Sequence, residues 1–167
     1  MSNLFKALNS WDEGLARLGE CIVQFQRIEE TLNICISAMI GNSRKIGEIV
    51  TCEMSFRAKL SVFSALFLHT LKQADLPEDI VQLTKDLDWA AQRRNALVHS
   101  LWDLSEIQPE TIRREKPAIR QRHFRIDQEN LTSDEIDDIG RKFEKISEDL
   151  IYLTSSYFPK LEKRLNH

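Results

Sequence analysis

The residues with the richest chemistry in this chain stand together as Arg93-Arg94-Asn95-Ala96-Leu97-Val98-His99-Ser100. An imidazole titrates near neutrality, so His99 can take up or return a proton. A guanidinium presents forked donors that match a phosphate and stabilise charge growing on it. Arg94 can fill that role, and Arg93 stands one position earlier. Asn95 can donate to a phosphate oxygen or orient the imidazole. Asn95 and His99 are i, i+4 and share a helix face. Arg94 and His99 are five apart, about 140° around a helix axis. They converge only if the long arginine bends around, if the helix end is irregular, or if two copies of the helix end face each other across a two-fold. The same spacing also occurs in helices where a histidine merely sits favourably near the C-terminus.

A second feature lies shortly downstream. From Ile112 to Arg125 there are six basic residues, Arg113, Arg114, Lys116, Arg120, Arg122 and Arg125, with Glu115 as the only acid. The chain carries a formal net charge of -3, so nucleic-acid binding has to come from a local patch of this kind. A phosphate backbone can lie along these cations, joined by His123, and Phe124 can stack on an unpaired base. The competing interpretation is a solvated loop whose charges offset the acidic runs Asp134-Glu135 and Asp137-Asp138. Gln24, Glu29 and Asn33 interrupt an apolar stripe and either line a polar cleft or flank it at the surface. His69 lies in an apolar stretch and is expected to be packed or partly buried, and His167 is terminal. Cys21, Cys35 and Cys52 lack CxxC spacing and read as small buried residues of a reducing compartment. There is no histidine or cysteine pair with metal spacing, no glycine-rich phosphate loop and no serine-nucleophile motif, so neither metal nor other cofactor is expected.

The elements that must position these groups are helical. The chain has 167 residues, 42% hydrophobic and 29% charged, with five Gly and four Pro. That suits one soluble domain over residues 1–167, with the cytoplasm as the default location. The sequence holds no uninterrupted apolar run of about 18 residues, so no membrane span is expected. Ser10 and Glu13 match a capping box, which starts a helix near Trp11. Trp11, Leu15, Leu18, Ile22, Phe25, Ile28, Leu32, Ile36 and Met39 then form one stripe, and Gly41 ends it. Residues 43–51 can add a short helix. Ser55 caps another, with Leu60, Phe63, Leu66 or Phe67, and Leu71 inward, until Asp75-Leu76-Pro77 breaks it. Glu78 to Trp102 form a third main helix carrying Ile80, Leu83, Leu87, Ala90, Leu97 and Leu101. Thr132 and Glu135 open a last helix that reaches about Arg164 with Ile136, Ile139, Phe143, Ile146, Leu150, Leu153 and Tyr157 inward, unless Pro159 ends it early. Residues 103–130 lose the helical period, contain Pro109 and Pro117, and read as an extended insert or β-hairpin. The fold class is all-α: an up-and-down bundle of four to five helices with that insert before the last helix.

The segment Arg94-Asn95-Ala96-Leu97-Val98-His99 resembles the motif of the HEPN superfamily, whose ribonuclease members carry Arg, often a polar residue, and then His after four to six positions. Arg94 fits with four intervening residues and Arg93 with five. Helices before the motif, a variable insert and a long closing helix agree with it. The resemblance implies a dimeric, metal-independent endoribonuclease in which the ribose 2′-OH attacks the neighbouring phosphorus, leaving a 2′,3′-cyclic phosphate and a 5′-hydroxyl. It assigns His99 as acid/base, Arg94 as phosphate ligand and Asn95 as orienting partner, with Arg93 and Ser100 in support. The settings it implies are toxin-antitoxin control, stress response or antiviral defence, with an antitoxin or regulatory protein as a further partner. Members controlled by a nucleotidyltransferase antitoxin have a modifiable Tyr two residues after the His; Leu101 stands there, which argues against that control. The alternatives are a module of the same class that binds RNA, nucleotide or a protein without cutting, and a purely structural helical protein.

Overall fold

The computed structural model describes residues 3–41, 44–105, 110–120 and 123–159. Pro109, Arg122, Arg164 and His167 lie outside the described residues, as does the Arg120 side chain. The element order is α1 (Asn3–Ile40), α2 (Arg44–Thr51), α3 (Phe56–Leu71), α4 (Glu78–Val98), β1 (Leu101–Leu104), β2 (Ile112–Arg120), β3 (His123–Leu131) and α5 (Ser133–Tyr157). The chain is therefore mostly helical but not all-α, because a three-stranded antiparallel sheet precedes the last helix. No helix among the described residues is long and apolar enough to cross a membrane.

Local chemistry explains most boundaries. Ser55 is extended at φ -63, ψ 155, and its hydroxyl accepts from the Ala58 N–H, which caps α3. Thr132 and Glu135 form a reciprocal capping box: the Thr132 N–H donates to Glu135 Oε2 at 2.8 Å and the Glu135 N–H donates to Thr132 Oγ1 at 3.2 Å. Gly41 adopts φ 80 directly after α1, a left-handed conformation that favours glycine. Helix α1 begins at Asn3, so Ser10 falls inside it instead of starting it. Helix α5 stops at Tyr157, before Pro159, well short of Arg164.

Helix α4 also ends earlier than its apolar period suggests, at Val98 and not Trp102. Its last carbonyls find other donors. The His99 N–H donates to Asn95 O at 3.2 Å, the Ser100 hydroxyl to Ala96 O, and the Trp102 indole to Leu97 O at 2.9 Å. The Ser100 hydroxyl and the Trp102 indole thus occupy the Ala96 and Leu97 carbonyls that a further turn would use. Leu101 to Leu104 pair with β2 instead, and Leu101 is 71% exposed where a core position was expected.

The chain divides into two compact units, one of Met1–Gln24 with Gln92–Lys142 and one of Phe25–Ala91 with Phe143–His167. The first holds the sheet. Leu18, Cys21, Leu97, Ile112, Leu131, Ile136 and Ile139 are its buried apolar residues. Gly14, not Leu15, faces inward here, because a Cβ on Gly14 would meet Ile112 Cδ1 at 2.8 Å. The second unit is built on aromatic contacts: Phe25 lies 5.1 Å from Phe56 and 5.7 Å from Phe143, and Phe67 packs on Phe63, Tyr157 and Phe158. In that unit Lys59, not Leu60, is buried, with its ammonium 2.6 Å from Glu29 Oε1. This accounts for the charge at Glu29 beside the apolar stripe: a buried cation needs a partner. His69, expected to be packed, is exposed. Cys21 and Cys35 are buried as expected, but Cys52 is exposed.

Candidate functional site

The motif residues occupy the last turn of α4 and the turn that follows it. His99 is exposed, just past the last helical residue, and Asn95 is exposed one turn earlier. Asn95 is a junction. Its side-chain oxygen accepts from Arg94 Nη1 at 3.0 Å, and its backbone carbonyl accepts both the His99 N–H at 3.2 Å and the Lys116 ammonium at 3.3 Å. One residue thus contacts the Arg94 side chain, the His99 backbone and a cation delivered by β2.

The sheet is placed against this turn by register. Opposed residues of antiparallel strands share a face. On the face toward α4 the rows run Leu104–Ile112–Leu131, then Trp102–Arg114–Glu129, then Lys116–Asp127 and Ala118–Arg125, with His123 beyond them on β3. The first row anchors the sheet, with Ile112 and Leu131 buried. The second carries the main electrostatic feature. Glu129 accepts from Arg93 through both oxygens, at 2.7 and 2.9 Å, and from Arg114 Nε at 2.6 Å. Arg114 Nη1 also reaches the Ser100 hydroxyl at 3.4 Å. Burial alone would raise the Glu129 carboxyl, but hydrogen bonds and charge from Arg93 and Arg114 outweigh it and hold it below its ordinary value. Arg93 and Ser100, expected as supporting residues, are in this way held beside the motif by one carboxylate.

The cations of the insert divide between the two faces. Arg114, Lys116 and Arg125 lie on the α4 side, whereas Arg113 lies on the other, 3.3 Å from Glu115 and 3.6 Å from Asp103. Arg125 pairs with Asp127 at 3.0 Å and keeps an exposed side chain. Phe124 also lies on the far face, opposite Ile119, and so does not share a surface with Lys116, Arg125 and His123. Among the described residues Asp103, Glu115, Asp127 and Glu129 of the strands pair with these cations, while Asp137 pairs with Arg17 and Asp138 with Arg141. Glu129 was not singled out from the sequence. Its significance depends on which residue of β2 it opposes, and the sequence Gln121-Arg122 carries no Asn-Gly or Asp-Gly signal to fix that register.

Among the described residues no group of three or more His, Cys, Asp or Glu is arranged to hold a metal ion. The arrangement defines an exposed imidazole and an amide at a helix terminus, flanked by guanidinium and ammonium groups. No family model, curated protein or solved structure matches the chain.

Proposed function

We propose that the chain is a metal-independent endoribonuclease of HEPN type. The observation that supports this is the Asn95 junction, which holds the Arg94 guanidinium and the Lys116 ammonium at the helix end that also carries exposed His99. In the proposed reaction His99 accepts the proton of a ribose 2′-OH as that oxygen bonds to the adjacent phosphorus. Arg94 and Lys116 stabilise the charge building on the phosphoryl oxygens. The bond from phosphorus to the 5′-oxygen breaks, the leaving oxygen takes a proton from the imidazolium, and the products are a 2′,3′-cyclic phosphate and a 5′-hydroxyl. Asn95 orients the set. The α4-side cations Lys116 and Arg125 extend the contact along the RNA backbone. In this proposal the helices supply the superfamily's up-and-down frame, a second copy completes the cleft, and the protein acts in the cytoplasm in toxin-antitoxin, stress or antiviral defence.

A second reading, a module of the same class that binds RNA without cutting, is favoured by one observation: Glu129 commits Arg93 and Arg114 to structure. The test of both is incubation with total tRNA and a structured RNA in EDTA, beside His99→Ala and Arg94→Ala. Cleavage by the wild type alone, with cyclic phosphate ends, supports the enzyme. RNA binding without cleavage by all three selects the second reading. Equal cleavage by all three indicates a contaminant and removes the mechanism.

A further inference from the structure

Strand β3 has a strand neighbour on one side only, since the sheet order among the described residues is β1-β2-β3. An unpaired edge is normally blunted by proline, a bulge or like charges such as lysines. The other edge has such a device, because β1 covers β2 only as far as Glu115 and Pro117 sits in the stretch beyond. Strand β3 is nine residues long, His123-Phe124-Arg125-Ile126-Asp127-Gln128-Glu129-Asn130-Leu131, with no Pro, no Gly and no Lys. Its charges alternate with apolar and amide residues and change sign along the strand.

That pattern is complementary to itself. A two-fold antiparallel pair keeps like faces on one side, so only registers centred on a residue are possible. Centring on Arg125 sets two guanidiniums opposite each other, and centring on Asp127 sets two carboxylates opposite each other. Centring on Gln128 opposes Asp127 to Glu129, while centring on Phe124 overlaps only residues 123–125 and opposes His123 to Arg125. Centring on Ile126 puts Arg125 opposite Asp127 and His123 opposite Glu129, twice each by symmetry, with Ile126 against its own copy. The exposed apolar residues on the far face, Ile119 at 78%, Phe124 at 69% and Ile126 at 48%, then continue from one sheet to the next.

We propose that β3 pairs with β3 of a second copy of this chain, antiparallel and centred on Ile126, joining the two sheets into one. The two-fold stands perpendicular to the sheet, so both α4 ends lie on the same side of it. This contact differs from the helix-end dimer implied by the family resemblance, and it holds whether or not the chain cuts RNA.

Sedimentation of the full chain over a concentration series, in a Cys52→Ser background, tests it without RNA. The wild-type sequence sediments as a dimer, or as a tetramer where the helix-end contact forms as well. Ile126→Lys, which sets two ammonium groups opposite each other, halves that mass with unchanged circular dichroism. Arg125→Asp weakens association about tenfold or more, and adding Asp127→Arg restores it. Mild oxidation joins Ile126→Cys into a disulfide dimer, because directly opposed residues fall within disulfide reach, and leaves Phe124→Cys unjoined. A monomer at every concentration overturns the pairing. So does a dimer indifferent to Ile126→Lys, or crosslinking of Phe124→Cys with none of Ile126→Cys.

Discussion

Replacing Glu129 by Gln removes one charge and leaves the shape, and its effect can be worked out from the network at the end of α4. The wild-type carboxylate accepts three hydrogen bonds from two guanidiniums whose side chains are 18% and 11% exposed. A hydrogen bond to a charged group contributes about 1.5–3 kcal/mol, and breaking a buried pair costs about 3–5 kcal/mol. Glu129 is 31% exposed, which places the loss toward the lower figure. The amide oxygen still accepts from one arginine, but the two guanidiniums are left repelling each other. The expected destabilisation is about 2–3 kcal/mol, read by urea unfolding as a lower midpoint at unchanged m-value. The pH dependence follows from the lowered carboxyl. Its contribution is fully present above the ordinary value of 4.5 and is lost as pH falls through the lower folded-state value. The gap between wild type and Glu129→Gln therefore narrows in acid and is widest near neutrality. A difference below about 0.5 kcal/mol at pH 7, as for an ordinary surface change, refutes the reasoning. So does a gap that stays constant through the acid range.

Three further outcomes are expected. Gly47→Ala in α2 would drive a methyl group into the Ser37 side chain and to 2.9 Å from its Cα, so helices α1 and α2 must separate; thermal melting should show a loss of about 1–3 kcal/mol. Burial pushes the Cys21 thiol up to about 11 and the Cys35 thiol up to about 12, while Cys52 is exposed. An aromatic disulfide reagent at pH 8 should therefore modify Cys52 alone until denaturant is added, and fast reaction of all three thiols in the native protein would contradict the burial. If single-stranded RNA lies along the α4 side of the sheet, Lys116→Ala and Arg125→Ala should each lower the salt slope of binding by about 0.7, and an unchanged slope excludes those contacts.

The helices were largely legible because each carries its own signal. Ser55, Gly41 and the Thr132–Glu135 pair are local devices, and the buried Ile80, Leu83, Leu87, Ala90 and Leu97 follow the helical period of α4. What escaped depended on partners distant in sequence. Gly14 is buried because of Ile112, Lys59 because of Glu29, and α4 stops where Trp102 and the start of β1 take over its last carbonyls. The motif was visible as a string of residue types, and the structure adds that His99 is exposed directly after the helix end. The role of Glu129, and the separation of Phe124 from the cations, required a strand register that no turn signal announced.

The discontinuous make-up of the two units bears on how the chain acquires its structure during synthesis. The first unit joins Met1–Gln24 to Gln92–Lys142, and the second joins Phe25–Ala91 to Phe143–His167. The opening helix therefore leaves the ribosome long before the segments that bury it exist, and neither core can close until α5 has been translated. Contacts this far apart in sequence slow folding and prolong exposure of apolar surface. A ribosome stalled before Ser133 would hold a chain with both cores open, so newly made chains should depend on chaperones until their last helix emerges.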